Sequence, residues 1–107
     1  MDLPSPIKAY FDADQRNDGE ALIRAFAPDA VVRDEGQSYA GRQAIAAWWC
    51  AAKAKYRHAI DAPEIVERGD VTKVRARVTG QFPGSPATLT FAFKLEDGGI
   101  AALEIGA

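Results

Sequence analysis

Cysteine, histidine and methionine each occur once in 107 residues, as Cys50, His58 and Met1. One cysteine excludes an intrachain disulfide and suits a reducing compartment, so a cytoplasmic location is the expectation. One histidine and one cysteine at unrelated positions cannot make a tetrahedral zinc set, and acidic metal-loop patterns are missing. There is no Gly-rich loop for phosphate, no Gly-x-Ser-x-Gly elbow and no Cys–His nucleophile pattern, so neither metal nor cofactor is implied. A basic block is missing too: 13 Lys and Arg are scattered among 15 Asp and Glu for a net charge of -2, which argues against nucleic acid as a partner. No run approaches the roughly 20 apolar residues that cross a bilayer, and Met1 to Pro6 lacks the charged flank and apolar run of a secretory signal, so no membrane association is expected.

What is present is 48% hydrophobic and 26% charged, the balance of one globular domain over residues 1–107 with its own core. Ile7, Tyr10, Phe11 and Asp14 recur at helical intervals and predict a first helix whose stripe is apolar until Asp14. Asn17-Asp18-Gly19 breaks it. Asp18 can cap a short second helix that buries Leu22, Ala25 and Phe26 and stops at Pro28. Ala30 to Asp34 reads as a strand ending in the turn-prone Asp34-Glu35-Gly36. From Gly41 to about Tyr56 a third helix carries Ile45, Trp48, Trp49, Ala52 and Tyr56 on one stripe, with Lys53, Lys55 and Arg57 near its carbonyl end. From His58 onward the period is two. Pro63 is expected to bend or bulge the first long strand; Val74, Ala76, Val78 and Phe82 then alternate with polar residues, as do Leu89, Phe91, Phe93 and Leu95. Asp97-Gly98-Gly99 turns into a last strand, Ile100 to Ile105. The sum is an α+β fold, about three helices on one face of a mainly antiparallel sheet.

Four kinds of residue carry potential chemistry. Alternation puts Asp34 on the side of Val32; if Val32 faces inward, so does the carboxylate, and desolvation then raises its pKa toward proton-shuttling range. The alternative is an aspartate that only caps the turn. Tyr10, on the first helix's apolar stripe, offers a phenolic donor to a carbonyl or developing oxyanion, or is a core tyrosine with a satisfied hydroxyl. His58 shares a strand face with Ile60 and either relays a proton beside Asp34 or is structural. Trp48, Trp49 and Tyr56, with Phe11, Phe26, Val32 and Phe91, would line a cavity for a flat apolar or aromatic ligand, or would simply fill the core. Adjacent tryptophans cannot point the same way; Trp48 is expected inward and Trp49 at the entrance or partly exposed.

The order of elements, together with Ala25-Phe26-Ala27-Pro28-Asp29-Ala30-Val31-Val32, Tyr39-Ala40-Gly41-Arg42-Gln43-Ala44-Ile45 and Gly98-Gly99-Ile100-Ala101-Ala102-Leu103-Glu104-Ile105, resembles the SnoaL-like branch of the nuclear-transport-factor-2-like superfamily. That resemblance, which extends distantly to ketosteroid isomerase and polyketide cyclases, implies a cone-shaped roll with a strongly bent sheet around a pocket. It also implies a homodimer through the outer sheet face, where Lys73, Arg75, Arg77 and Thr90 lie. In the steroid-isomerase relatives a first-helix Tyr and a first-strand Asp act as oxyanion donor and general base, and Tyr10 and Asp34 match those positions. The relatives' protonated Asp falls near Phe91, which cannot donate. Three functions follow as alternatives: a cofactor-independent isomerase, cyclase or lyase with Asp34 as base, Tyr10 polarising the substrate and His58 assisting; a non-catalytic binder using the same pocket; and a dimeric interaction domain.

Overall fold

The structure, a computed structural model, describes residues 3–106. Helix α1 (Ser5–Gln15) and the short α2 (Gly19–Arg24) are followed by strands β1 (Phe26–Asp34) and β2 (Gln37–Ala40), helix α3 (Arg42–Tyr56), and strands β3 (Ala59–Glu67), β4 (Val71–Thr79), β5 (Ala87–Glu96) and β6 (Gly99–Gly106). The strands form one mixed sheet in the order β2-β1-β6-β5-β4-β3. All neighbours are antiparallel except β1 and β6, which run parallel. Three helices on a curved, mostly antiparallel open sheet are the expected α+β class.

The helices arise much as the periodicity demands. On α1, Ile7, Tyr10, Phe11, Ala13 and Asp14 are buried together, and the Asp18 carboxylate caps α2 by accepting from the Ala21 amide. Val74, Ala76, Val78, Phe91, Phe93 and Leu103 form the inward sheet face, leaving Arg75, Arg77 and Lys94 in water. Under α1 the rings of Tyr10, Phe11, Phe26, Phe91 and Phe93 pack mostly edge to face, Tyr10 to Phe11 and Phe11 to Phe91 both at 5.3 Å between centroids. Such contacts add to the area the rings remove from water.

Four local expectations are corrected. Phe26 opens β1 instead of closing α2, and Pro28 lies within the strand. The cause is tertiary: the Ile100 amide donates to the Ala25 carbonyl at 2.9 Å, and the Arg42 Nη2 and Nε groups donate to the Phe26 carbonyl at 2.6 and 3.0 Å. A register shift between Phe26 and Val31 accommodates the proline, which has no amide to donate. Strand β2 was not foreseen; Asp34 pairs with Gln37 across a two-residue loop, Glu35-Gly36, with φ of 54° and 75°, as the primed hairpin turns require. Phe82 lies beyond β4, which ends at Thr79 because Gly80 brings the chain against the Tyr56 carbonyl. Finally, Trp49 is as buried as Trp48 but on another side, its ring packed on Gly19 at the start of α2. Of the two expectations at Pro63, the bulge is present, as a register shift between Asp61 and Glu64.

Candidate functional site

A cavity of about 440 Å³ opens between α1, α3 and the concave sheet face. Its apolar wall comes from Trp48, Ala52 and Tyr56 of α3, Ile60 of β3, Val78 of β4, Leu89 and Phe91 of β5, Ile105 of β6, and the Phe82-Pro83 turn. Its polar groups are Tyr10, Asp34, Glu35 and His58. The volume lies within the usual range for small-molecule sites, and an apolar wall with a few convergent polar groups is the usual composition of such sites.

Asp34 stands at the end of β1, two residues beyond Val32, which is fully buried and paired with Leu103. Strand phase thus turns the carboxylate toward the cavity, where Trp48 Nε1 donates to its Oδ2 at 3.0 Å. Burial pushes the Asp34 carboxyl above the usual carboxylate range, and the Glu35 charge adds to this; the Trp48 and Glu35-amide hydrogen bonds and the His58 charge offset only part. Tyr10 is 1% exposed. Burial, then the charges of Asp14 and Asp34, hold its phenol well above its ordinary pKa, so it stays protonated and able to donate. No described residue bonds its hydroxyl, yet among the described residues no fully buried side-chain polar atom lacks a partner, so the hydroxyl opens on the cavity it lines.

His58 also borders the cavity, and its Nε2 lies 2.9 Å from Oδ1 of Asp14. Asp14 is the group that sequence reasoning passed over. It is 1% exposed and accepts from Trp49 Nε1 at 2.8 Å and from Lys53 Nζ at 3.3 Å as well as facing His58. Burial pushes its carboxyl up, but the His58 hydrogen bond and charge, the Trp49 hydrogen bond and the Lys53 charge outweigh that and hold it below the usual range. The available signal was a carboxylate on the buried stripe of α1. Lys53 was read as a charge at the end of α3; it instead bridges Asp14 and the His58 carbonyl, the latter at 2.6 Å. Tyr56 closes one side of the mouth by donating to Glu35 Oε1 at 3.0 Å.

Tyr10, Asp34 and His58 therefore share one cavity, with Trp48, Tyr56 and Phe91 among its walls. Phe11, Phe26, Val32 and Trp49, expected as pocket lining, do not reach it. Phe26 and Val32 pack in the core beneath, Trp49 packs against α2 and Asp14, and Phe11 borders a separate pocket with Leu3 and Lys8. Among the described residues no group of three or more His, Cys, Asp and Glu side chains is gathered to hold a metal. No helix among them is long and apolar enough to cross a membrane.

Three helices over a curved, mostly antiparallel sheet make a nuclear-transport-factor-2-like fold, in which Tyr10, Asp34, Glu35 and His58 line one cavity. The chain belongs to the SnoaL-like domain family, whose model matches residues 7–103. A candidate polyketide cyclase from Sinorhizobium meliloti is 53% identical, with 98% of this chain and 96% of that one covered at a TM-score of 0.93. A protein of ketosteroid isomerase-like fold from Catenulispora acidiphila, solved with trimethylamine, is 19% identical over 99% of this chain and 87% of that one at a TM-score of 0.83. A candidate polyketide cyclase from Silicibacter is 20% identical over 94% and 85%, at a TM-score of 0.81. The last two show likeness of fold alone. No curated protein matches significantly.

Proposed function

We propose that the protein binds a flat, largely apolar carbonyl compound in this cavity and acts on it as a cofactor-independent acid–base catalyst of the cyclase, isomerase or lyase type. The observation that carries the reading is the convergence of Asp34, Tyr10 and His58 on one apolar hollow. The similarity to the Sinorhizobium candidate polyketide cyclase favours the same class. Asp34, ionised, takes the proton from a carbon next to the carbonyl; the C–H electron pair forms the C=C bond of an enolate as the carbonyl π pair moves onto the oxygen, and the Tyr10 hydroxyl donates to that developing oxyanion. The carboxylic acid so formed returns its proton at a second position, with His58 assisting. Its raised pKa suits both halves of that cycle.

Exchange of the α-protons of 1-tetralone in deuterated buffer, followed by NMR, tests this. The wild type is expected to accelerate exchange and Asp34→Asn to lose about 10²-fold or more of the acceleration. Equal rates with both proteins would sink catalysis by Asp34.

Phe91 favours a second reading, a binder without turnover: it stands near where the steroid-isomerase relatives have a second donor, and it is apolar and 2% exposed. A ligand that raises the melting temperature of wild type and Asp34→Asn equally points to that reading. With either reading we place a homodimer through the outer face of β4 and β5, where Arg75 and Arg77 oppose Thr90 and Thr88. A cytoplasmic site of action suits the lone, exposed Cys50.

A further inference from the structure

The cluster beneath the cavity has a donor–acceptor logic that fixes more than packing. An ionised carboxylate only accepts and an indole N–H only donates, so Asp14 takes its Trp49 bond without choice. His58 Nε2, facing the same Oδ1 at 2.9 Å, must then carry a proton. Lys53 at 3.3 Å gives Asp14 a cationic partner whatever the charge of the imidazole. No described residue bonds Nδ1, and among the described residues no fully buried side-chain nitrogen lacks a partner. Nδ1 is therefore reachable from the open space that His58 borders, which is the cavity.

We propose that Asp14 is a positioning residue: it locks neutral His58 as the Nε2–H tautomer, making Nδ1 an obligate acceptor in the cavity for a ligand hydroxyl or N–H. The cavity then offers three distinct polar functions: a donor at Tyr10, an acceptor at His58 and a titrating carboxyl at Asp34. A ligand that uses all three carries a carbonyl oxygen for Tyr10 and a hydroxyl or N–H for His58. The role for Nδ1 rests on reading the cavity as a small-molecule site, whereas the tautomer lock does not. The titratable and charged groups around His58 are Asp14 from α1 at its Nε2, Lys53 from α3 at its carbonyl, Asp34 from β1 through its charge, and Tyr10 and Glu35, which line the same cavity.

Because His58 is the only histidine, its ring signals are assigned without ambiguity in ¹⁵N-labelled, untagged protein. Long-range ¹H–¹⁵N spectra without ligand at about pH 8, above the ordinary imidazole range, are expected to show a single neutral tautomer, with a slowly exchanging Nε2–H. Asp14→Asn is expected to give a mixture and lose the exchange protection. Lys53→Gln keeps the carboxylate and is expected to keep the tautomer, which serves if the first variant does not fold. A mixture, an Nδ1–H form or a doubly protonated ring in the wild type overturns the proposal. So does an unchanged ring in Asp14→Asn, or a mixture in Lys53→Gln. These outcomes are independent of tetralone exchange, so the two readings fail separately.

Discussion

Two aspartates of the same chemistry are driven apart by their surroundings. Asp14 receives the His58 and Trp49 N–H groups and a lysine ammonium and stays ionised under near-complete burial; Asp34 has one indole donor, a neighbouring glutamate and an apolar hollow, and its carboxyl is pushed up. Carboxyls pushed in opposite directions separate an anchoring anion from a group that takes up a proton more readily. The anchoring role makes a stability prediction. Asp14→Ala leaves the Trp49 N–H, the Lys53 ammonium and the His58 N–H without their acceptor, and breaking a buried pair in this way costs about 3–5 kcal/mol, to be read as a shift of the urea midpoint.

Among the elements, α3 does the most to shape the site. Its face at Trp48, Ala52 and Tyr56 walls the cavity, while Trp49 and Lys53, one residue further round, reach Asp14. The adjacent tryptophans therefore serve two different carboxylates. The end of α3 is held against the end of β4 through Gly80, where an added Cβ would lie 2.8 Å from the Tyr56 carbonyl oxygen and 3.1 Å from the Phe82 ring. The Gln81 amide also donates to that carbonyl at 2.6 Å. Backbone cannot retreat as a side-chain tip can. Gly80→Ala is therefore expected to cost about 1–3 kcal/mol and to displace Phe82 and Tyr56 at the cavity mouth, visible as a lower melting temperature and altered aromatic NMR shifts.

At the scale of the whole molecule, the two aspartates shape stability against pH with opposite signs. Asp14 titrates lower folded than unfolded, so its contribution is present above the unfolded carboxylate pKa of about 3.9 and is lost as pH falls through the folded value. Asp34 titrates higher folded than unfolded, so it favours the folded state at low pH, and that contribution disappears as pH rises through the raised value. Asp34→Asn removes the second effect only. The variant should gain stability relative to wild type as pH rises from about 4 and then hold a constant difference, measured by thermal melts across pH. A difference that does not vary with pH would contradict the raised carboxyl.

Periodicity alone was enough for three helices, the long strands, the inward face of the sheet and the inward turn of Asp34 behind Val32, because each is a local consequence of 3.6- or 2-residue repeats meeting an apolar interior. The family phrases carried the fold for the same reason: they spell turns and strand phases. The boundary at Phe26, the short β2, the two directions of the tryptophans and the partners of Asp14 were settled only in three dimensions. Phe26 joins a strand because β6, over seventy residues later, supplies the amide that Ala25 accepts, and Asp14 is a site residue because α3 and the residue just before β3 bring a tryptophan, a lysine and the single histidine to it. Those contacts join positions far apart in the chain, and no local repeat encodes which distant donor will meet a buried carboxylate.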